Sequence, residues 1–398
     1  MTCYSARGSG RKHCSSNKSK GLIFYDNRLL PELFSMNSFQ SFHLEHQQEL
    51  QAAFERVLKS GWFIMGAELA TFETQLARFV GVSHCLGVGN GYDALWLSLK
   101  SLDIKPHQEV IMPSNAYIAA VNAVLALGAK PVFVEPELIS YNLCAKALQE
   151  QLTTKTVAIL VVHLYGQTAN MAEILNAAGD IPIVEDFAQA HGATFMGQQA
   201  GSFGLINATS FYPTKNLGAL GDGGAVLTNS ETLAQRVSLL RNYGSQEKNI
   251  HELVGVNSRL DELQAAFLKI KLTYLQGLIQ LRQLAAQTYT RELAGILDFE
   301  LPQTHPSATH TYHQFVLRTK YRDALKLFLQ ENGINTLIHY PKPPHLQRSL
   351  LFLGYSEGSF PISESFSREF LSLPLPYAIQ SDEVERTIGY IQRFAKQV

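Results

Sequence analysis

From about residue 45 the chain falls into regular alternations of apolar and polar positions. Leu50, Ala53, Phe54, Val57 and Leu58 recur at helical spacing and stop at Gly61; Leu69, Phe72, Leu76 and Phe79 form a second stripe. The pattern predicts two amphipathic helices in succession. Beyond them, short apolar runs at 85–88, 110–112, 131–134, 157–162, 181–184, 208–211 and 225–227 alternate with helical stretches. That alternation predicts an α/β fold, a largely parallel, doubly wound sheet covered by helices on both faces. After 257–275 the chain predicts long helices to about 295, a strand over 312–317, a helix over 322–332 and a strand over 334–338, together a smaller α+β unit.

In open sheets of this kind, ligands bind beyond the carboxyl ends of the strands. Here those positions carry Gly89-Asn90-Gly91, Ser114-Asn115, His163, Asp186 and the run from Ser210 to Lys215, which are expected to converge. An aspartate ending a buried apolar strand calls for a cationic partner, because an unpaired buried carboxylate costs several kcal/mol or shifts its pKa. Helix capping would account for Asp186 on its own. Lys215 follows an apolar strand and Pro213 and precedes Gly218-Ala219-Leu220-Gly221-Asp222-Gly223-Gly224, whose glycines allow close backbone approach. A tight loop before the next strand is the plainer account of those glycines and is compatible with a site. Together, a lysine able to hold an aldehyde as a Schiff base and a carboxylate able to keep a pyridine nitrogen protonated are what pyridoxal 5'-phosphate (PLP) chemistry requires. Gly87-Val88-Gly89-Asn90-Gly91 joins a strand to a helix, so its N–H groups can bind a phosphate at the helix N-terminus. It lacks the third glycine of the dinucleotide fingerprint, which favours a single phosphate, with the Ser210 hydroxyl as a second donor.

Composition narrows the picture. With 398 residues, 46% of them apolar and 17% charged, the chain suits two domains rather than a disordered polymer. A net charge of −1 offers no field for nucleic acid, and no run approaches the ~20 apolar residues of a membrane span. With no apolar secretory run at the N-terminus, the expected compartment is the cytoplasm. Cys3, Cys14, Cys85 and Cys144 are scattered without zinc-like spacing, so reduced thiols and no metal are expected. Residues 1–35 read as a disordered or variable extension, basic and serine-rich over 1–20; an organelle-transit segment is the alternative. The expected division is then 36–275 for a large cofactor-binding domain and 276–398 for a small C-terminal domain.

The ordered set Gly89-Asn90-Gly91-Tyr92-Asp93-Ala94-Leu95, Pro113-Ser114-Asn115-Ala116-Tyr117, His163-Leu164-Tyr165-Gly166-Gln167, Glu185-Asp186-Phe187-Ala188-Gln189-Ala190-His191-Gly192, Ser210-Phe211-Tyr212-Pro213-Thr214-Lys215 and Asn257-Ser258-Arg259-Leu260-Asp261-Glu262 resembles the DegT/DnrJ/EryC1/StrS sugar aminotransferases. The resemblance runs from about residue 40 to about 395. It implies a fold-type I PLP-dependent transferase, the aspartate aminotransferase fold. It also implies that Lys215 and Asp186 are catalytic, Lys215 carrying the cofactor and Asp186 holding the pyridine nitrogen. Gln189 would bond the ring hydroxyl, Tyr117 would stack on the ring, and Gly91, Tyr92 and Ser210 would bind the phosphate. Asn257 would reach the phosphate of the neighbouring subunit, making a homodimer with shared active sites. Ala116 and Phe187 depart from the family pattern, and Phe187 is expected to alter packing rather than chemistry.

Val134-Glu135-Pro136-Glu137, Arg241-Asn242-Tyr243-Gly244-Ser245 and the run from Ile338 to Gln347 look most like enzymes that aminate C3 of dTDP-3-keto-6-deoxyhexoses, with L-glutamate as donor. A 4-keto sugar-nucleotide substrate is the alternative. Tyr212, His339 and His345 are candidates for sugar contact, against a plain packing role. Two rivals of other classes are a non-catalytic PLP-binding regulatory protein and a nicotinamide-dependent oxidoreductase. The intact Lys215, Asp186 and Ser210 oppose the first, and the missing third glycine opposes the second.

Overall fold

The computed structural model describes residues 39–247, 249–375 and 381–398. The N-terminal extension expected at 1–35 lies outside the described residues. Helices α1 (Phe39–Glu45), α2 (Gln47–Ser60) and α3 (Ala67–Val80) lead into the sheet. Gly61 and Gly81 end α2 and α3 in the left-handed region, at φ 66° and 84°, where glycine carries no Cβ penalty. The predicted stripes are the buried faces: Leu50, Ala53 and Val57 on α2, and Leu69, Phe72 and Leu76 on α3.

Each of the seven apolar runs forms a strand: β1 (His84–Val88), β2 (Glu109–Pro113), β3 (Lys130–Val134), β4 (Thr156–Val162), β5 (Ile183–Asp186), β6 (Ile206–Ser210) and β7 (Gly224–Thr228). They make one sheet in the order β1-β7-β6-β5-β4-β2-β3. Every neighbouring pair is parallel except those made by β7, which runs antiparallel to both β1 and β6. The cause is local. A parallel return needs a crossover of a dozen or more residues, usually helical, and residues 211–223 form no helix, so β7 comes straight back. The loop it leaves carries Lys215.

Helices α4 (Gly91–Ser101), α5 (Ile118–Leu125), α6 (Ala145–Gln151), α7 (Met171–Ala178) and α8 (Glu231–Leu240) cover the sheet. Strands such as β2 and β7 are buried along their whole length, which is why they read as unbroken apolar runs rather than alternations. α9 (Glu262–Leu293) is one helix of 32 residues that serves two cores. Ala265, Leu268, Leu275 and Ile279 pack with α3 and Phe211; Ala285, Ala286, Tyr289 and Leu293 pack against the C-terminal elements. The boundary expected between 275 and 276 therefore falls inside a continuous helix.

The C-terminal elements are β8 (Phe315–Arg318), α10 (Arg322–Glu331), α11 (Pro361–Glu369), β9 (Phe370–Leu373) and α12 (Ser381–Ala395), with β8 and β9 antiparallel. The strand expected over 312–317 begins only at Phe315, because Thr311 and Gln314 donate their N–H groups to Gly166 and Tyr165 carbonyls. The strand expected over 334–338 does not form. Only Leu337 pairs, exchanging two backbone bonds with Ser372. Next along the chain the His339 carbonyl is taken by the Tyr165 hydroxyl, so the segment leaves the sheet edge. β9, which no sequence signal flagged, supplies the missing partner. Among the described residues no helix is long and apolar enough to cross a membrane.

Candidate active site

The parallel strands end on one edge of the sheet, and β7 starts there. Gly224 pairs with both Val88 and Ser210, which brings the β1–α4 turn against the end of β6. A Cβ built on Gly224 would collide with the Asn90 carbonyl, and one built on Gly91 would collide with the Ser210 side chain. Glycine is needed at 91 for that close approach. Asn90 caps α4 by accepting the Asp93 N–H at 2.8 Å, and Ser258 both donates to Asp93 Oδ2 (2.6 Å) and accepts from the Gly89 N–H (3.0 Å). The positive end of the α4 dipole, opened by Gly91 and Tyr92 and faced by the Ser210 hydroxyl, has the donors and the space that a phosphate requires.

Asp186 ends β5, and its Oδ1 accepts the Ala188 N–H at 3.1 Å. Burial pushes its carboxyl above the usual range, while the Ala188 N–H and Lys215 favour the charged form. Alternation along the strand turns Glu185 to the opposite face. There its fully buried carboxylate accepts from Gly201 (2.8 Å), Phe203 (2.6 Å), Gly204 (2.6 Å) and His163 Nε2 (2.7 Å). His163 Nδ1 accepts the Ala169 N–H at 3.0 Å, which leaves the ring proton on Nε2. The Glu185–His163 network thus fixes the strand end that carries Asp186. The sequence reading missed it, although a second carboxylate inside an apolar strand was a signal that four donors had to be found.

Lys215 sits in the loop between β6 and β7. Its N–H donates to the Tyr212 carbonyl (2.8 Å), and the Ala219 N–H closes the loop on the Phe211 carbonyl (2.7 Å). Burial lowers the Lys215 amine to about 8, opposed by Asp186. Three buried imidazoles share this environment. Burial and the Lys215 charge lower His191 to about 3 and His339 to about 4, and His313 falls well below its ordinary value, so all three are neutral near pH 7. His191 Nε2 meets the Thr209 hydroxyl at 2.7 Å, while its Nδ1 and that of His313 have no partner among the described residues. Neither histidine was singled out from the sequence.

These residues fit PLP: a phosphate cradle that a Cβ at 91 would fill, a half-buried carboxylate for the ring nitrogen and a half-buried amine for the aldehyde. Gln189 accepts the Tyr165 N–H (2.8 Å) and donates to the Tyr340 hydroxyl (3.3 Å). The Tyr117 ring is half exposed and tilted against Tyr340, with centroids 5.1 Å apart. Phe187 is fully buried beneath the site, where Gly201 makes room for its ring, so this departure is a packing change.

The segments that suggested a sugar specificity have structural work. Glu135 accepts the N–H groups of Ile362 (2.8 Å) and Ser363 (3.2 Å) and caps α11. His345 corrects an expectation: it is fully buried, with Nε2 on Glu364 (3.0 Å) and its ring against Phe360, so it does not face a sugar. His339 keeps its place near Lys215, with Nδ1 on the Ser372 hydroxyl at 2.8 Å. Tyr212 is 43% exposed, and Asn257 is exposed where its backbone pairs with Asn242.

A seven-stranded sheet with one antiparallel member, joined to a C-terminal α+β unit by a long shared helix, is the fold of the fold-type I transferases. Residues 44–392 match the DegT/DnrJ/EryC1/StrS aminotransferase family, and the chain belongs to it. It is 45% identical over 357 residues to the dTDP-3-amino-3,6-dideoxy-alpha-D-galactopyranose transaminase of Aneurinibacillus thermoaerophilus, covering 89% of this chain and 98% of that protein. It is likewise 45% identical, over 89% of this chain and 97% of the relative, to the erythromycin biosynthesis sensory transduction protein EryC1 of Saccharopolyspora erythraea. The solved structure of S. venezuelae DesV in complex with ketimine intermediate superposes with a TM-score of 0.88 at 43% identity, over 90% of this chain and 97% of that one.

Proposed function

We propose that this chain uses PLP to place an amino group on a nucleotide-linked keto sugar, with a dTDP-3-keto-6-deoxyhexose as acceptor and L-glutamate as donor. The convergence of Asp186, Lys215 and the Gly91–Ser210 cradle on one sheet edge carries this reading. Relatives named as dTDP-3-amino-sugar transaminases support the choice of acceptor.

When bound, PLP supplies the electron sink for breaking the bond at the donor's α-carbon. Lys215 Nζ would hold the cofactor aldehyde. Its free amine would be the base and acid that moves the proton at that carbon, and a pKa of about 8 suits that task near neutral pH. Asp186 would hold the proton of the ring nitrogen, and Gln189 would bond the ring hydroxyl. The acceptor's carbonyl carbon must come within about 3–3.5 Å of the amine it receives. His339 and Tyr212 would border that space, and Tyr117 would pack on the cofactor ring.

A relative 38% identical is named a pleiotropic regulatory protein, which gives the regulatory reading an observation of its own. A protein that only bound PLP would not need a proton-moving lysine held opposite a half-buried carboxylate. The working unit is a homodimer in which Asn257 completes the phosphate site of the partner subunit. Mixing Asn257→Ala with Lys215→Ala chains should then restore activity, and no restoration after confirmed subunit exchange would refute the shared site. NMR of the product formed from glutamate and each of the 3- and 4-keto dTDP sugars tests the substrate. Nitrogen on C3 is expected; efficient amination of C4 from the 4-keto sugar would overturn the assignment.

A further inference from the structure

Lys271 is an enclosed amine that the chemistry above does not use. It lies two turns inside α9, is only 3% exposed, and has no carboxylate near it among the described residues. Burial lowers its amine to about 8. Its Nζ donates to the Gly218 carbonyl at 2.7 Å and stands 5.8 Å from the centre of the Phe42 ring. The other titratable group facing it is His43 of α1, which burial and the Lys271 charge lower to about 4 and so keep neutral. A buried ammonium with one carbonyl for a partner is an expensive way to fill a core, since an apolar side chain of similar length would pack there without desolvating a charge.

What the amine holds is the loop of Lys215. A Cβ on Gly218 would collide with the Pro213 carbonyl and come within 3.1 Å of the Lys215 carbonyl oxygen, so the Gly218 backbone lies folded over the turn that presents Lys215. Gln264 stands seven residues before Lys271, on the same face of α9. Its Oε1 accepts the Leu220 N–H at 2.8 Å. α9 therefore grips the loop at 218 with a donor and at 220 with an acceptor.

We propose that Lys271 is a positioning residue that, through the Gly218 carbonyl and together with Gln264, sets the placement and burial of the Lys215 amine. The proposal rests on the reading of Lys215 as the cofactor lysine. Release of the grip lets water reach Lys215, and its amine then titrates higher, towards that of a solvated lysine.

The test measures the pH midpoint of Lys215 acetylation by acetic anhydride in the full chain freed of cofactor, by peptide mass spectrometry, in the wild type, Lys271→Met and Lys271→Arg. In the wild type the midpoint is expected near 8. Lys271→Met should raise it by at least about half a unit and lower kcat about tenfold while changing the donor KM less than about threefold; Lys271→Arg should restore both. A folded Lys271→Met protein with unshifted midpoint and kcat would overturn the proposal. If Lys271→Met does not fold, Gln264→Leu, which releases the same loop, decides: a raised midpoint supports the grip and an unchanged one overturns it. Should the wild type lack aminotransferase activity altogether, the functional reading falls, yet the midpoints still decide the role of Lys271.

Discussion

The cofactor end of the cleft stands on the ends of sheet strands, where Asp186, Ser210 and the Gly91 turn are held by backbone pairing and by buried caps. The opposite wall, built from 134–143 and 332–347, consists largely of loops that side chains tie in place: Glu135 onto α11, Glu364 onto His345 and the Gly358 N–H, Tyr165 onto His339. Strand ends allow few residue types to perform one chemistry. Loop walls admit many sequences that hold the same backbone. Motifs on the first wall therefore speak of mechanism, while motifs on the second speak first of packing and only then of the sugar.

Lys215→Ala should show the difference at its largest. Transamination and the visible absorbance of the bound cofactor should vanish while the thermal midpoint moves little, because Lys215 serves chemistry more than the core. Activity retained by this variant would remove Lys215 from the mechanism.

Gly91→Val comes next. Its side chain would run into Ser210 where the phosphate needs to sit, so PLP affinity, followed by titration of absorbance, should fall by about 10²-fold or more, equivalent to at least about 2.7 kcal/mol. Unchanged affinity would mean that the phosphate binds elsewhere.

On the loop wall the effects should be smaller and of another kind. Glu135→Gln leaves two N–H groups of α11 with a weaker acceptor and should cost about 1–2 kcal/mol of stability in denaturant melts, with the ratio of C3 to C4 amination unchanged. A changed ratio at wild-type stability would show that Glu135 reads the sugar after all.

The same contrast explains what could be read in advance. All seven strands of the large sheet were legible, because unbroken apolar runs mark buried strands; of the polar residues that end them, Ser210 and the Gly91 turn meet, whereas His163 turns to Glu185 and Ser114 to Ser363. Direction was harder to see: the antiparallel course of β7 follows from the missing crossover helix, which a string of glycines only hints at. β9 was hidden because Phe370-Leu371-Ser372-Leu373 follows α11 directly, with no turn residue between them. His345 looked like a site residue because Tyr340-Pro341-Lys342-Pro343-Pro344 reads as an ordered loop, and its buried partner Glu364 lies 19 residues away in a different element. The caps made by Glu262 and Glu135 depend on long-range partners and carry no local signature; Glu262, for example, accepts three N–H groups at the start of α3.

The central claim is that the amine at the end of this loop is the one that holds PLP. Borohydride reduction of the PLP-loaded chain, followed by digestion and mass spectrometry, tests it directly, because reduction makes the linkage permanent. The pyridoxyl mass should appear on the peptide containing Lys215 and on no other. The same mass on Lys271 or any other lysine, with Lys215 unmodified, would contradict it.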